Sequence, residues 1–160
     1  MPYYHAAYHK YPSKNGLSII EPKGYYEDFQ YHPMKNPVGW NGRISKGWEE
    51  LPTSKTKETS FAKTVGGAVL GFASGNPYLG PSTFYLYETD ENPDFDLTRW
   101  SGPWTDFHIL GEVRYRRPVV ARFIGVAHLS REDKENISDI YNSYPNERLA
   151  LRRELDGRFG

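Results

Sequence analysis

The sequence predicts an α+β domain, an antiparallel or mixed sheet closed by two terminal helices, on three observations. Short aromatic and β-branched runs fenced by Gly and Pro fill the second half of the chain, helical signatures cluster after residue 130, and no strand-helix alternation of the parallel type appears. At 160 residues the chain is read as one domain, with 1–129 a sheet-rich core carrying long aromatic loops and 130–160 the terminal helices. Apolar residues make up only 38%, and mean hydropathy is −0.74. Aromatic residues at 16% supply the burial that scarce aliphatics do not, which separates the chain from disordered sequences.

Tyr3-Tyr4-His5 opens the chain as a short strand. From Pro12 to Pro52 the chain is crowded with Gly, Pro, Asn and aromatic residues, among them Lys23-Gly24-Tyr25-Tyr26 and Asn36-Pro37-Val38-Gly39-Trp40. Such punctuation prevents long elements and reads as binding loops or several short strands. Thr53 to Thr59 reads as a polar surface connection, and Ser60 to Ala73 as a small-residue helix carrying Phe61, Val65, Val69 and Leu70. Thr83 to Tyr87 reads as a strand between Gly80-Pro81 and Asn92-Pro93, followed by the acidic turn Asp90, Glu91, Asp94 and Asp96. Phe107 to Tyr115 alternates with period two, which predicts a strand with His108, Leu110, Glu112 and Arg114 on one face. Val119 to Leu129 is a further strand. Ser130 and Asp133 form an approximate capping box before Ile137 and Ile140, and Asn146 is a candidate cap for a last helix ending near Gly157.

Twenty basic and twenty acidic side chains cancel, so bulk charge gives no reason to seek nucleic acid or an anionic membrane. The absence of cysteine removes disulfides, thiol nucleophiles and thiolate metal sites. No apolar run approaches the roughly 20 residues that span a bilayer, and Met1-Pro2-Tyr3-Tyr4 lacks a signal pattern. The expectation is a soluble cytoplasmic protein without membrane partners, resident in a host cytoplasm or virion if it is viral.

Two polar groups stand out: the imidazole of His5 and the carboxylate of Glu112 in Gly111-Glu112-Val113-Arg114-Tyr115. Tyr4-His5-Ala6-Ala7, followed by Gly16-Leu17 and Pro22-Lys23-Gly24, resembles the first motif of ADP-ribosyltransferases of the diphtheria-toxin, poly-ADP-ribose polymerase and rifampin ADP-ribosyltransferase type. Phe84 to Thr89 with Pro93-Asp94-Phe95-Asp96-Leu97 resembles the central strand and acidic turn of the rifampin-modifying branch, and Glu112 to Tyr115 resembles the strand of the third motif. The likeness is spread over most of residues 3–126. It implies a compact split-sheet domain using NAD as substrate, with no metal, and an unknown protein, nucleic-acid or small-molecule acceptor.

Breaking the nicotinamide-ribose bond develops oxocarbenium character, which a carboxylate beside the ribose stabilises. The resemblance assigns that role first to Glu112 and second to Asp94, with Asp96 its neighbour in the same turn. It implies that His5 holds the adenosine-side ribose, with Tyr4 beside it, that Tyr85 or Phe61 packs on the nicotinamide, and that Arg114 receives phosphate. Ala6 and Ala7 stand where the motif often has Gly and then Thr or Ser, and only Thr59-Ser60-Phe61 stands for the second motif.

Plainer roles remain open for the same residues. His5 can be a core histidine satisfied by a backbone carbonyl, and Glu112 can pair across strands on a solvated face, worth at most about 1 kcal/mol. The rival function is a non-catalytic structural or interaction module, such as a component of a viral particle. It would make protein-protein contacts through loops bearing Trp40, Trp48, Trp100 and Trp104.

Overall fold

The computed structural model describes residues 1–22, 57–74, 80–99, 106–141 and 144–160. The aromatic loops between Tyr25 and Leu51 and all four tryptophans, on which the interaction reading drew, lie outside the described residues.

In chain order the elements are β1 (Tyr3–Ala7), β2 (Leu17–Ile20), β3 (Thr59–Ala62), α1 (Val65–Ser74), β4 (Ser82–Thr89), β5 (Phe95–Asp96) and a 3-10 turn (Leu97–Arg99). Then follow α2 (Asp106–Leu110), β6 (Glu112–Tyr115), β7 (Val119–Leu129), α3 (Arg131–Tyr141) and α4 (Pro145–Phe159). The strands form one sheet in the order β2-β7-β4-β1-β3-β6-β5, each neighbouring pair antiparallel. Among the described residues the chain is therefore α+β, a seven-stranded antiparallel sheet with helices between its strands and two more after them.

Local chemistry accounts for the corners. Asn15 and Gly16, at φ 54° and 78°, make the left-handed pair of a tight turn, closed by Lys14 and Leu17 exchanging backbone hydrogen bonds. At the start of α3, Asp133 N–H donates to Ser130 Oγ at 3.0 Å while Ser130 N–H donates to Asp133 Oδ2 at 2.8 Å, the reciprocal box read from the sequence. The last helix begins differently from expectation. Pro145 occupies its first turn after Tyr144, which makes no side-chain cap, so Asn146 lies inside the helix, which runs past Gly157 to Phe159.

Two further expectations are corrected. Phe107 to Tyr115 is not one strand: α2 covers Asp106–Leu110, Gly111 turns the chain at φ 67°, and β6 begins at Glu112. Alternation over so few residues does not separate a strand from a single helical turn joined to a strand. The helix read from Ser60 starts at Val65, because Thr59–Ala62 is claimed by β6 as β3, with Phe61 opposite Val113 and Ala62 opposite Glu112.

The sheet carries apolar clusters on both faces. Toward the helices, Ala6, Ala62, Phe84, Leu86, Ala127 and Leu129 pack with Val69 and Leu70 of α1, Ile137 of α3 and Leu151 and Leu155 of α4. On the other face, Ile20, Phe61, Tyr87, Val113, Tyr115, Val119 and Ala121 pack together. Strand β7 contributes to both. Its register with β4 shifts between Leu86 and Tyr87, where Gly125 and Phe123 are opposite and Ile124 is the extra residue, so its inward parity reverses midway. No helix among the described residues is long and apolar enough to cross a membrane.

Candidate functional site: a cleft at the parting of β1 and β3

β1 runs beside β4 from Tyr3 to Ala7 but is in register with β3 only where Tyr4 faces Ala62. Just beyond that pair, the imidazole of His5 takes the place of a ladder bond, with Nδ1 2.9 Å from the Ser60 carbonyl oxygen. A carbonyl can only accept, so Nδ1 carries the proton and Nε2 is left as the acceptor. The Tyr11 hydroxyl lies 3.4 Å from that Nε2. Burial holds the His5 pKa below the usual histidine value, against the opposing effect of the Ser60 bond, so the ring is neutral at pH 7. Phe61 stacks on it at 4.8 Å between centroids, with the planes 28° apart.

On the other side of β3, Glu112 opens β6. Arg114, two residues on and on the same face, directs Nε (2.8 Å) and Nη2 (2.6 Å) at a single oxygen, Glu112 Oε2. The guanidinium also lies 3.7 Å from Glu58 Oε1 through Nη1, and Arg116 Nε lies 3.4 Å from Glu58 Oε2. Arg114 and Glu58 are each only 1% exposed, so the centre of this charged cluster is buried, with Glu112 part-buried at the cleft and Arg116 exposed at its outer edge. The plain alternative for Glu112 was a solvated cross-strand pair. The pair instead runs along the strand and its guanidinium is buried.

A cavity of about 360 Å³ opens at this parting, within the ~300–1,000 Å³ range of small-molecule sites. Tyr4, His5 and Tyr11 line it from the N-terminal segment, Glu58 to Ala62 from β3 and its approach, Gly67, Gly71 and Phe72 from α1, and Leu110 and Glu112 from the α2–β6 corner. Strand alternation sends His5 and Phe61 to one face of the sheet and Tyr4, Ala62 and Glu112 to the other. The two groups border one cavity because the strands between them separate. Thr64 prepares the α1 wall by capping the helix, its Oγ1 accepting the Gly67 amide at 3.0 Å.

Of the residues singled out by the sequence, His5, Tyr4, Phe61 and Glu112 meet at this cleft. The Tyr4 hydroxyl is pushed above its ordinary pKa by burial and by neighbouring Glu88. Tyr85, Arg114 and Asp94 are not among the lining residues. Tyr85 lies on β4, its ring 6.3 Å from that of Phe123. Asp94 closes the end of the β5–β6 pair, with its amide donating to the Arg114 carbonyl at 3.0 Å and its Oδ2 accepting the Arg116 amide at 2.7 Å. Asp96 is held by Lys63 at 2.9 Å and by Thr98; burial opposes its ionisation, but these donors outweigh it and leave its pKa below the usual value. Glu58 and Tyr11 were missed. Glu58 sat in what read as polar surface chain, and nothing in its neighbourhood marks a buried carboxylate.

Among the described residues there is no group of three or more His, Asp or Glu placed to hold a metal ion. Comparison with protein-family models, with curated proteins and with solved structures finds no match.

Proposed function

We propose that the chain is an ADP-ribosyltransferase-like domain that takes NAD into the cleft between β1 and β3 and transfers ADP-ribose to an acceptor or hydrolyses NAD. The observation that carries the reading is that His5, Phe61, Tyr4 and Glu112, chosen from the sequence, border one cavity of small-molecule size. In this reading His5 Nε2 accepts a hydrogen bond from a ribose hydroxyl in place of Tyr11, a role its neutral tautomer permits. Phe61, already stacked on His5, offers a flat apolar wall to the nicotinamide. Glu112 stabilises positive charge as the glycosidic bond lengthens, and the Arg114 bonds fix its carboxylate in advance, so little reorganisation accompanies the step.

A second reading, a non-catalytic interaction module, draws on the apolar side chains that β2 and β7 leave exposed: Leu17, Ile19, Val120, Ile124 and Val126. The deciding experiment follows nicotinamide release and label transfer from NAD by the wild type and by Glu112→Gln. The expected result is release that falls about 100-fold or more in the variant while NAD still binds, in line with loss of a charge-stabilising group. No NAD binding and no release by the wild type would overturn the transferase reading in favour of the interaction module.

A further inference from the structure

We infer that Arg114 is a positioning residue for Glu112 rather than a phosphate ligand, and that Glu58 is the counter-charge that holds Arg114 in place. The inference deepens the transferase reading and rests on it for the activity measurements alone. Its basis is geometric. The Arg114 guanidinium is 1% exposed and lies behind the cleft, whereas both carboxylates it touches line the cleft. Two of its nitrogens converge on one oxygen of Glu112 at 2.6 and 2.8 Å, and its third faces Glu58 Oε1 at 3.7 Å. Its other side lies 5.7 Å from the centre of the Phe107 ring.

A guanidinium engaged on these sides has no route to a phosphate without giving up a buried ion pair, which is strongly unfavourable. Two rigidly spaced donors converging on one oxygen also fix the position of that oxygen, Glu112 Oε2, which a single lysine ammonium on a flexible stem does not. Glu58 occupies the neighbouring position on β3's approach, and its second oxygen meets Arg116, so it anchors the charged cluster from the far strand. The buried Arg114 guanidinium faces a carboxylate on each of two sides, which offsets the cost of taking it and Glu58 out of water.

The test compares Glu58→Gln, Arg114→Lys and Glu112→Gln with the wild type in steady-state NAD turnover, and follows the Arg114 Nε–H resonance by NMR. Positioning predicts that Arg114→Lys lowers kcat about 10- to 100-fold and Glu58→Gln about 10-fold, each with KM for NAD within about 2-fold of wild type. It also predicts an Nε–H resonance in the wild type that exchanges slowly and broadens in Glu112→Gln. A rise in KM with kcat preserved in Arg114→Lys would overturn the inference and return Arg114 to the ligand. If the wild type neither binds nor turns over NAD, the transferase reading fails, and the resonance decides separately: a fast-exchanging Nε–H in the wild type overturns the buried clamp, and a slow one that depends on Glu112 and on Glu58 sustains it.

Discussion

The carboxylate of Asp156, near the end of the last helix, accepts the backbone amide of Gly66 in the first turn of α1 at 2.6 Å, across ninety residues of sequence. One of the orphan donors of the helix that walls the cleft is thus satisfied from the far end of the chain, and the acid sits where the helix dipole favours a negative charge. Arg152, one turn earlier, faces the same carboxylate at 3.6 Å.

Replacing Asp156 by Ala removes a charge-assisted hydrogen bond to a partly buried donor. The expected loss is about 1–3 kcal/mol of unfolding free energy, measured by urea denaturation. Asp156→Asn, which keeps an acceptor oxygen, should recover part of it.

Gly67 approaches α2 so closely that an added Cβ would lie 2.2 Å from the Leu110 carbonyl oxygen. Backbone cannot yield cheaply there, so Gly67→Ala is expected to cost about 1–3 kcal/mol and to lower Tm by several degrees in a thermal melt. Gly71 is a useful contrast: its added Cβ would meet only Leu110 side-chain carbon at 3.4 Å, so Gly71→Ala should be far milder.

Gly111, at φ 67°, sets the direction in which Glu112 leaves the α2–β6 corner, and an added Cβ there would lie 3.2 Å from Lys63 Cβ. Gly111→Ala combines a left-handed backbone penalty of about 1–2 kcal/mol with that close contact. Stability and NAD turnover should fall together, the first read by denaturation and the second by nicotinamide release.

His5 and Asp133 should each make stability depend on pH, in separate windows. His5 titrates below its ordinary value of 6.5 in the folded chain, because burial disfavours the imidazolium. The unfolded state therefore binds the proton first, so the His5 contribution is complete above about pH 6.5 and declines as pH falls below it. Asp133 is drawn from 3.8 to about 2, chiefly by hydrogen bonds from Arg158, with burial opposing and Ser130 assisting. Its contribution is present above pH 3.8 and is lost as pH falls toward about 2. Denaturation curves from pH 8 to 2 should show His5→Gln flattening the upper window and Asp133→Asn the lower; identical profiles for variant and wild type would contradict the assignment.

What the sequence made legible was chemistry that acts over a few residues. Val119 to Leu129 is a strand at its predicted bounds, and Ser130 with Asp133 makes the expected box, because strand propensity and capping are local. For His5 the sequence left a backbone-carbonyl partner and a ribose-binding role both open; the carbonyl bond is present, but it comes from Ser60, 55 positions away, which the local sequence does not mark. Non-local events were not legible. Glu58 looks like solvated chain until β3 and β6 bring Arg114 and Arg116 to it. The strand read over Phe107 to Tyr115 failed at Gly111, whose φ of 67° is available to glycine at little cost and leaves no trace in the apolar pattern. Asp94, ranked second to Glu112 as the reactive acid, has a carboxylate that accepts the amide of Arg116, 22 residues on, a bond its own neighbourhood in the sequence does not announce.

The extra residue at Ile124 has a consequence for how this chain comes apart. Because β7 feeds Val119 and Ala121 into one apolar cluster and Ala127 and Leu129 into the other, neither layer can melt without pulling on the strand that serves both. Hydrogen exchange should therefore release the amides of Phe61 and Leu86, on opposite faces, with one common opening energy. Deleting Ile124 would remove the bulge and leave β7 in unbroken register with β4, Phe123 opposite Tyr87 and Gly125 opposite Leu86, so both clusters would keep their side chains and only the local bend of the strand would be lost.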